Sequence, residues 1–336
     1  MKKMSVKGIL LLVAVTAGLC LGTAAAGMAA PKYDWKVGHV LAPDHPWSIA
    51  LQKFGEELAG RSNGRIQLTI FPSGKLGQER EAIESLQMGT LDFTIISSGS
   101  LANFTKSQNI LDMHYLIPSV KAGRAVVDSP IGRRLLDGLD EIGIKGIDYW
   151  ENGMYTIYGN KRVQHPADVR GLKIRVNDNQ FHIETYEILQ ATPVHIPWGD
   201  IYTSLEQGTC DMSTTTLVNL HSAKHDEASQ YIVKANQLYT VSPLLMSKQI
   251  WDEAPADIRD IITQSSQIAM AYERRLLEEA NVKAEAEIKA MGKEIIEVDA
   301  AEWRAAIQPV YDAHIGKDLD QGLYDAITAI VKANTD

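Results

Sequence analysis

The sequence predicts an α/β protein built from two domains. From residue 33 to about residue 250, short β-rich runs alternate with amphipathic helical segments, a pattern typical of folds with parallel or mixed sheets. A helical segment from Pro255 to Met291 is longer than one small domain requires. The 336 residues, 45% of them hydrophobic, are enough to form more than one core.

The strands are indicated by runs rich in β-branched and aromatic residues. In the clearest run, Ile66, Leu68 and Ile70 alternate with other residues, as expected for a strand with one buried face. The predicted strands are YDWKVGHV, RIQLTIFP, LDFTIISS, GIKGIDYW, LKIRVN, ATPVHIPW and the stretch from Tyr231 to Lys248. The helices predicted between the first of them are PWSIALQKFGEELAGRS and QEREAIESLQMG, the second of which ends at a glycine.

The segment from Pro255 to Met291 predicts one long helix. It contains no internal glycine or proline, and Gly292 stands where the helix would end. At 1.5 Å per residue, about 36 residues give a helix roughly 54 Å long, so we expect it to lie across both domains. Two shorter helices, broken between Gln264 and Gln267, are the alternative.

Residues 1–26 predict a secretory signal peptide. Three lysines precede the apolar run ILLLVAVTAGLCLG, and the small residues TAAAGMAA follow it. The apolar run is too short to span a membrane comfortably. Cleavage after Ala26 fits best, with Ala29 or Ala30 as alternatives, and the residues before Cys20 do not match a lipoprotein signal.

Charge and cysteine content disfavour a nucleic-acid-binding, membrane-surface-binding or disulfide-stabilised protein. The formal net charge is −9, and removal of the three signal-peptide lysines takes it to −12, which disfavours binding to nucleic acid or to anionic membrane surfaces. Without Cys20 only Cys210 is left, so the exported chain would have no internal disulfide. Cys210 has no evident histidine partner, and we expect it to be a small core residue.

Common catalytic motifs do not occur in the sequence: there is no Gly-rich phosphate loop, dinucleotide fingerprint, Gly-x-Ser-x-Gly elbow or His-Glu-x-x-His zinc motif. His221 and His225 are four residues apart and would share a helix face, but further metal ligands cannot be assigned, which favours exposed helix histidines. Glu79, Glu81 and Glu84 offer carboxylate pairs, although the helix dipole alone favours acids in a first turn. We therefore expect no catalytic residues, no cofactor and no metal.

Arg175 stands in the stretch ADVRGLKIRVNDNQ, residues 167–180. Leu172, Ile174 and Val176 would fall on one face of the predicted strand. Lys173 and Arg175 would fall on the other face, which is either a solvated surface or an anion-binding surface. This alternation alone leaves both roles open for Arg175.

A second set of polar and aromatic residues follows in ATPVHIPWGDIYTSLEQGTCDMSTTT. The stretch predicts a strand ending at Trp198, a short helix opening near Asp200, a stop at Gly208 and a strand carrying Thr214 and Thr215. Ligands of open α/β sheets bind outside the strand ends, and a tryptophan beside hydroxyls and an arginine is a common lining for a small polar ligand. Core packing is the alternative role for Trp198.

Five segments resemble the periplasmic solute-binding proteins of tripartite ATP-independent periplasmic (TRAP) transporters. They are HVLAPDHPWSIALQKFGEELAGRSNGRIQLTIFPSGKLGQERE, LDFTIISSGSLANF, HPADVRGLKIRV, TPVHIPWGDIYTSLEQGTCD and SKQIWDEAP. The resemblance implies an α/β periplasmic solute-binding protein fold with an interdomain cleft and a long helix spanning both domains. We assign domain I to residues 31–152 plus 241–280 and domain II to residues 153–240 plus 281–336.

The resemblance also implies a binding site. The arginine of the family motif Gly-x-Lys-Ile-Arg, which anchors the substrate carboxylate, falls on Arg175. A guanidinium offers a planar fork that meets a carboxylate in two parallel hydrogen bonds. Lys173, on the same strand face, is expected to remain a solvated cation. The matching positions implied for the rest of the site are His45, Glu79, Ser98, Asn152 and Trp198.

The sequence departs from the family pattern at other implied site positions. Thr214 and Thr215 stand where many members carry a Glu-Asn-Pro motif, and Tyr155 stands where many carry arginine. The histidine that is common ahead of the later cleft-crossing segment is replaced around Gln237 to Tyr239, and Tyr239 is taken as the site residue there. Fewer cations and more hydroxyl and aromatic groups favour a ligand with one carboxylate and an apolar or hydroxylated body over C4 dicarboxylates and sugar acids.

The function expected from this resemblance is capture of a small organic acid in the periplasm. We expect a monomer that closes around its ligand and delivers it to the small and large TRAP membrane subunits. The alternatives are an exported hydrolase that uses Glu79 or the two histidines His221 and His225, and a binding module whose partner is a sensor receptor.

Overall fold

The computed structural model describes residues 32–106 and 108–334. The predicted signal peptide, residues 1–26, lies outside the described residues. The strands are β1 (Tyr33–Gly38), β2 (Ile66–Phe71), β3 (Phe93–Ile95), β4 (Ile144–Gly159), β5 (Lys173–Val176), β6 (Thr192–His195), β7 (Met212–Thr216), β8 (Tyr231–Lys234), β9 (Tyr239–Ser247) and β10 (Glu294–Glu297).

The helices connect these strands and cover the sheet. They are α1 (Pro46–Arg61), α2 (Glu79–Gln87), α3 (Ser98–Leu101), α4 (Val120–Val127), α5 (Pro130–Asp137), α6 (Gln180–Ile188), α7 (Ile201–Glu206), α8 (Leu217–Ser222), α9 (Lys248–Glu253), α10 (Ala256–Ala290), α11 (Ala300–Ala306), α12 (Gln308–His314) and α13 (Gln321–Ala333). The predicted α/β class is thereby confirmed.

The strands form a mixed sheet with the order β2-β1-β3-β9-β4-β7-β5-β6. Strands β1, β2 and β3 are parallel, and β9 joins them antiparallel to β3. On the other side, β5, β6 and β7 are parallel, whereas β8 pairs with β4 and β10. We call β1, β2, β3 and β9 with α1 to α3 the first lobe, and β5 to β8 and β10 with α6 to α8 the second lobe.

Strand β4 belongs to both lobes. It pairs with β9 from Ile144 to Met154 and then, from Tyr155 to Gly159, with β7 and β8. The pairing with β9 shifts register between Glu151 and Gly153, so Asn152 forms a β-bulge where the strand passes from one lobe to the other. Gly153 has φ 103°, a conformation that side chains other than glycine rarely adopt.

Helix α10 confirms the predicted long helix and is unbroken over 35 residues. It packs on α1 of the first lobe, on β4 and on α8 of the second lobe. Its apolar side chains enter two different cores, with Ile258 and Ile262 in one and Ile288 in the other. The alternative of two helices broken between Gln264 and Gln267 is therefore wrong.

Several predicted boundaries are corrected. Strand β4 continues past the predicted end at Trp150, because the bulge at Asn152 interrupts the alternation but not the strand. The predicted strand from Tyr231 to Lys248 is two strands, β8 and β9, with Asn236 at φ 44° between them. Strand β6 ends at His195, before a short 3-10 turn, rather than at Trp198.

Among residues 32–106 and 108–334, none of the helices is both long and apolar enough to cross a membrane. Long apolar side chains are instead buried in three clusters, the largest of which joins α2 to the C-terminal helices. Cys210 is buried in the core beneath α7, as predicted, and burial raises its pKa to about 11. The domain boundaries assigned from the sequence stay a prediction.

Candidate functional site

A cavity of about 340 Å³, including the part open to solvent, lies between the two lobes. The first lobe contributes side chains from the loop before α1, from α1 and α2 and from the end of β3, and the second lobe contributes the ends of β5 and β7 and the start of α8. Its lining residues are Val40, Leu41, Trp47, Glu79, Ser97, Asn152, Tyr155, Arg175, Asn177, Trp198, Thr215 and Asn219.

Arg175 lies at the floor of this cavity, on β5, and is 5% exposed. Its Nε donates to the backbone carbonyl of Ile196 at 2.9 Å, and its Nη1 donates to Oδ1 of Asn177 at 2.9 Å. Both acceptors are neutral, and burial lowers the pKa of the guanidinium. Among the described residues no carboxylate forms an ion pair with Arg175, which leaves a buried cation facing the cavity.

Lys173, two residues earlier on the same strand face, is exposed, as predicted. It lies where β5 begins, whereas Arg175 lies deeper in the sheet between β6 and β7. The two cations predicted to share a face therefore differ in environment, and only Arg175 lines the cavity.

Glu79 faces the same cavity from the first residue of α2 in the first lobe. Its Oε1 accepts the backbone N–H of Ser97 at 2.8 Å, and its Oε2 accepts the Ser97 hydroxyl at 2.8 Å and the Ser100 hydroxyl. These donors fix the orientation of the carboxylate, which is the one acidic group among the residues lining the cavity.

Aromatic side chains form two walls of the cavity. Trp198 is half-buried, and its ring contacts the ring of His225 with the centroids 4.8 Å apart. Trp47, near the start of α1, is fully buried and donates its indole N–H to the carbonyl of Glu151 at 2.9 Å. Tyr155 is buried on β4, where burial raises the pKa of its hydroxyl to about 12, so it stays a neutral donor.

An amide network joins β4, which we call the hinge strand because both lobes share it, to the second lobe. Nδ2 of Asn219 donates to Oδ1 of Asn152 at 2.8 Å and to the hydroxyl oxygen of Thr215 at 3.3 Å. Asn219 is held at the start of α8, because the hydroxyl oxygen of Thr216 caps that helix and accepts the Asn219 backbone N–H. The bulge residue Asn152 is thus both a lining residue and a partner of the second lobe.

His45 is placed against this network rather than in the cavity lining. Its Nδ1 accepts the Trp47 backbone N–H at 3.1 Å, so Nε2 carries the proton and donates to Oδ1 of Asn219 at 3.0 Å. This hydrogen bond joins the two lobes. Burial and, to a smaller extent, the neighbouring His39 lower the pKa of His45 to about 3, although the Asn219 hydrogen bond acts in the opposite direction.

Neutral His45 makes the stability of the protein depend on pH. The pKa of His45 in the folded protein is below the ordinary value of 6.5. The stabilisation that depends on neutral His45 is therefore present above pH 6.5 and is lost as the pH falls towards 3. Between pH 7 and pH 5, wild type is expected to lose about 2 kcal/mol more unfolding free energy than a His45→Gln variant, because 1.36 kcal/mol corresponds to one pKa unit. Urea unfolding at both pH values measures the difference, and equal losses in the two proteins would contradict it.

Besides His45, three predicted site residues lie outside the cavity lining. Ser98 is fully buried and donates to Oδ1 of Asp112 at 3.0 Å, whereas its neighbour Ser97 lines the cavity. Thr214 alternates with Thr215 on β7 and donates to the carbonyl of Arg175 at 3.4 Å. Adjacent residues of a strand point to opposite faces, so only one of the two threonines reaches the cavity.

Tyr239 is the third predicted residue outside the lining. It is buried behind β4, where its hydroxyl donates to Oε2 of Glu151 at 3.3 Å. Its ring packs against Gly123 of α4 so closely that a Cβ at that glycine would come within 2.2 Å of ring carbons. Tyr239 therefore supports the hinge strand and does not contact the cavity.

The two histidines considered for a hydrolase, His221 and His225, lie in different surroundings. Helix α8 ends at Ser222, so the interpretation of His221 and His225 as exposed histidines of one helix is wrong: His225 lies beyond the helix and is buried. His221 contacts Asp226 and Glu287, whereas Nδ1 of His225 contacts the Tyr158 hydroxyl at 2.8 Å. Within residues 32–106 and 108–334 no group of His, Cys, Asp and Glu side chains is arranged to hold a metal ion.

The lining residues that sequence reasoning missed include Val40, Leu41, Trp47, Asn177 and Asn219. Asn177 follows Arg175 by two residues, so the strand period places both on the same face and was a usable signal. Trp47 and Asn219 lie at the starts of α1 and α8, and their approach to the cavity depends on how the two lobes meet. That tertiary arrangement leaves no local pattern in the sequence.

Comparisons with known proteins agree with this architecture. Residues 37–318 match the family model of bacterial extracellular solute-binding protein, family 7. A solute-binding protein from Verminephrobacter eiseniae is 31% identical over 294 residues, which cover 86% of this chain and 88% of the relative.

Two solved structures superpose closely. A TRAP periplasmic solute-binding protein from Polaromonas sp. JS666 bound to D-erythronate has a TM-score of 0.86 and 27% identity and covers 88% of this chain and 98% of its own. The sugar acid binding protein from Advenella mimigardefordensis in complex with galactonate has a TM-score of 0.87 and 26% identity, covering 91% and 100%. These neighbours share the two-lobed fold predicted from the sequence.

Proposed function

This chain belongs to family 7 of the bacterial extracellular solute-binding proteins, and on that premise we propose that it binds a small organic acid in the cavity between its lobes. It delivers this acid to a TRAP-type membrane transporter. It acts as a receptor without catalysing a reaction, and it reaches the periplasm through a signal peptide in residues 1–26.

The observation that carries this proposal is the buried guanidinium of Arg175. A buried charge is costly unless it is paired, and the acceptors of Arg175 within the chain are neutral. Nε and one N–H of Nη1 are already used, which leaves Nη2 and the second N–H of Nη1 for an external acceptor. A ligand carboxylate supplies both the missing negative charge and two acceptor oxygens.

Glu79 restricts the chemical groups that the ligand can carry besides the carboxylate bound by Arg175. Arg175 is the one cation among the lining residues, so a second ligand carboxylate would find no cation and would meet the Glu79 carboxylate. A hydroxyl or ammonium group can instead donate to Glu79, and the rings of Trp47 and Trp198 can cover carbon atoms. The proposed class is a monocarboxylate with hydrogen-bond donors, and it includes the single-carboxylate sugar acids that the sequence alone had disfavoured.

Both lobes supply lining residues, so the ligand is enclosed only when the lobes are together. Glu79 and Trp47 come from the first lobe, and Arg175 and Trp198 come from the second. Closure of two lobes around a ligand is a form of conformational change that a membrane partner can recognise.

We expect D-erythronate or galactonate to bind the purified chain, lacking residues 1–26, with one-to-one stoichiometry and micromolar or tighter affinity. Succinate should bind at least tenfold more weakly, because its second carboxylate would face Glu79. Isothermal titration calorimetry measures both affinities. Succinate binding as tightly as the two hydroxy acids would contradict the proposed class, and an absence of binding to any of a broad panel of carboxylic acids would contradict the proposed function.

A further inference from the structure

A chain of hydrogen bonds joins Arg175 to Glu79 across the two lobes. Nη1 of Arg175 donates to Oδ1 of Asn177 at 2.9 Å, and Nδ2 of Asn177 donates to the Ser97 hydroxyl oxygen at 3.4 Å. The Ser97 hydroxyl in turn donates to Oε2 of Glu79 at 2.8 Å. The two charged groups at the ends of this chain line the same cavity, whereas the two groups between them are neutral.

Opposite charges in a buried cavity attract each other strongly, because the surroundings screen them less than water does. Arg175 and Glu79 would therefore be expected to pair once the lobes meet around an empty cavity. No such ion pair exists among the described residues. Asn177 instead contacts Arg175, and Ser97 contacts Glu79, so these two neutral groups lie between the charges in the hydrogen-bond chain.

Asn177 is fixed in one orientation by contacts at both ends of its amide. Its oxygen accepts from Arg175, and its Nδ2 donates to Ser97 and, at 3.3 Å, to the hydroxyl oxygen of Tyr155. The amide is 6% exposed, so a swap of its oxygen and nitrogen would bring two donors face to face at Arg175. Ser97 is equally constrained, because both its N–H and its hydroxyl are committed to Glu79.

We propose that Asn177 and Ser97 are positioning residues that keep the guanidinium of Arg175 and the carboxylate of Glu79 apart when the lobes close. The proposal has two consequences, of which only the second rests on the proposed function. The first consequence concerns the free protein, in which the two charges form no direct ion pair and interact only through space. The second concerns binding: Arg175 stays available to a ligand carboxylate and Glu79 to a ligand hydroxyl or ammonium, instead of competing with the ligand for each other.

The first experiment needs no ligand. Arg175→Met and Glu79→Gln are combined in a double-mutant cycle of urea unfolding, once in the wild-type background and once with Asn177→Ala. In wild type the two substitutions should be nearly additive, within about twofold in the folding equilibrium constant. In the Asn177→Ala background we expect a coupling of at least tenfold, because the charges can then pair.

The same cycle is measured in a second background, Ser97→Ala, and in a control background, Thr214→Val. Ser97→Ala removes the other neutral group and should produce the same increase in coupling, so the test stands if Asn177→Ala fails to fold. Thr214→Val removes a hydroxyl beside Arg175 that does not line the cavity and should leave the coupling at its wild-type value. Equal coupling in all backgrounds, or a large coupling already present in wild type, would overturn the inference.

The second experiment measures binding of D-erythronate by calorimetry. Asn177→Ala should weaken binding at least tenfold, and adding Glu79→Gln to that variant should restore part of the affinity, although Glu79→Gln alone weakens binding. A purely structural role for Asn177 predicts no such rescue, and absence of rescue would overturn the second consequence. If D-erythronate does not bind wild type, this result counts against that ligand, whereas the unfolding cycle still decides the inference.

Discussion

Replacement of Arg175 by alanine is expected to weaken binding of a carboxylate ligand by about thirtyfold to several thousandfold. This range corresponds to roughly 2 to 5 kcal/mol, the cost of removing one partner from a desolvated, hydrogen-bonded charge pair. The large effect follows from the position of Arg175, which is buried and held by Ile196 and Asn177 so that its free N–H groups face the cavity. Calorimetry with D-erythronate or galactonate measures the loss.

Two matched variants separate charge from geometry at this position. Arg175→Lys keeps the charge but loses the planar fork, so its affinity should lie between those of wild type and Arg175→Ala. Lys173→Ala removes an exposed cation from the same strand and should bind like wild type. If Arg175→Ala kept the wild-type affinity, the role of Arg175 as the carboxylate anchor would be refuted.

The largest expected effect on stability comes from Arg124, which supports the hinge strand. Its Nε donates to Oε2 of Glu151 at 2.6 Å and its Nη2 to Oε1 at 3.2 Å, and its Nη1 donates to Glu278 of α10 at 2.6 Å. The Glu151 side chain is 3% exposed, so Arg124→Met leaves a buried carboxylate without its cation. We expect a loss of about 3 kcal/mol or more in the free energy of unfolding.

Urea unfolding tests this expectation against two further variants. Arg124→Met combined with Glu151→Gln removes both charges and should recover part of the lost stability, because no uncompensated charge is left buried. Arg61→Met removes an exposed arginine that pairs with Glu57 four residues earlier and should cost less than about 1 kcal/mol. A loss for Arg124→Met no larger than that for Arg61→Met would show that the buried pair contributes little.

The sequence predicted those parts of the fold that leave a periodic pattern. The alternation in β2 and the long stretch of α10 without glycine or proline were sufficient to identify these elements. The second half of β4 was missed because its bulge at Asn152 and the glycine after it break the period. Positive φ values such as that of Asn236 likewise carry no periodic signal, so β8 and β9 were merged.

The candidate site was predictable in its anchor and less so in its other residues. Arg175 stood out through the family motif, and its strand face was correctly expected to differ from that of Ile174. The selection of Ser98 rather than Ser97 missed the lining by one residue: Ser97, which precedes α3, lines the cavity, whereas Ser98, the first residue of α3, donates to Asp112. Trp47 and Asn219 are brought to the cavity by contacts between the two lobes. The residues that form such contacts are more than 100 positions apart in the sequence, as in the His45 to Asn219 hydrogen bond.

The position of β9 in the sheet determines the order in which the protein can fold. This strand lies between β3 and β4, so the sheet of the first lobe has a gap until Ser247 has been synthesised. By then β5 to β8 have already been synthesised, and β7 and β8 pair with the second half of β4. Contacts this distant in sequence slow folding, and the first lobe cannot complete its sheet before the strands β5 to β8 of the second lobe have been made.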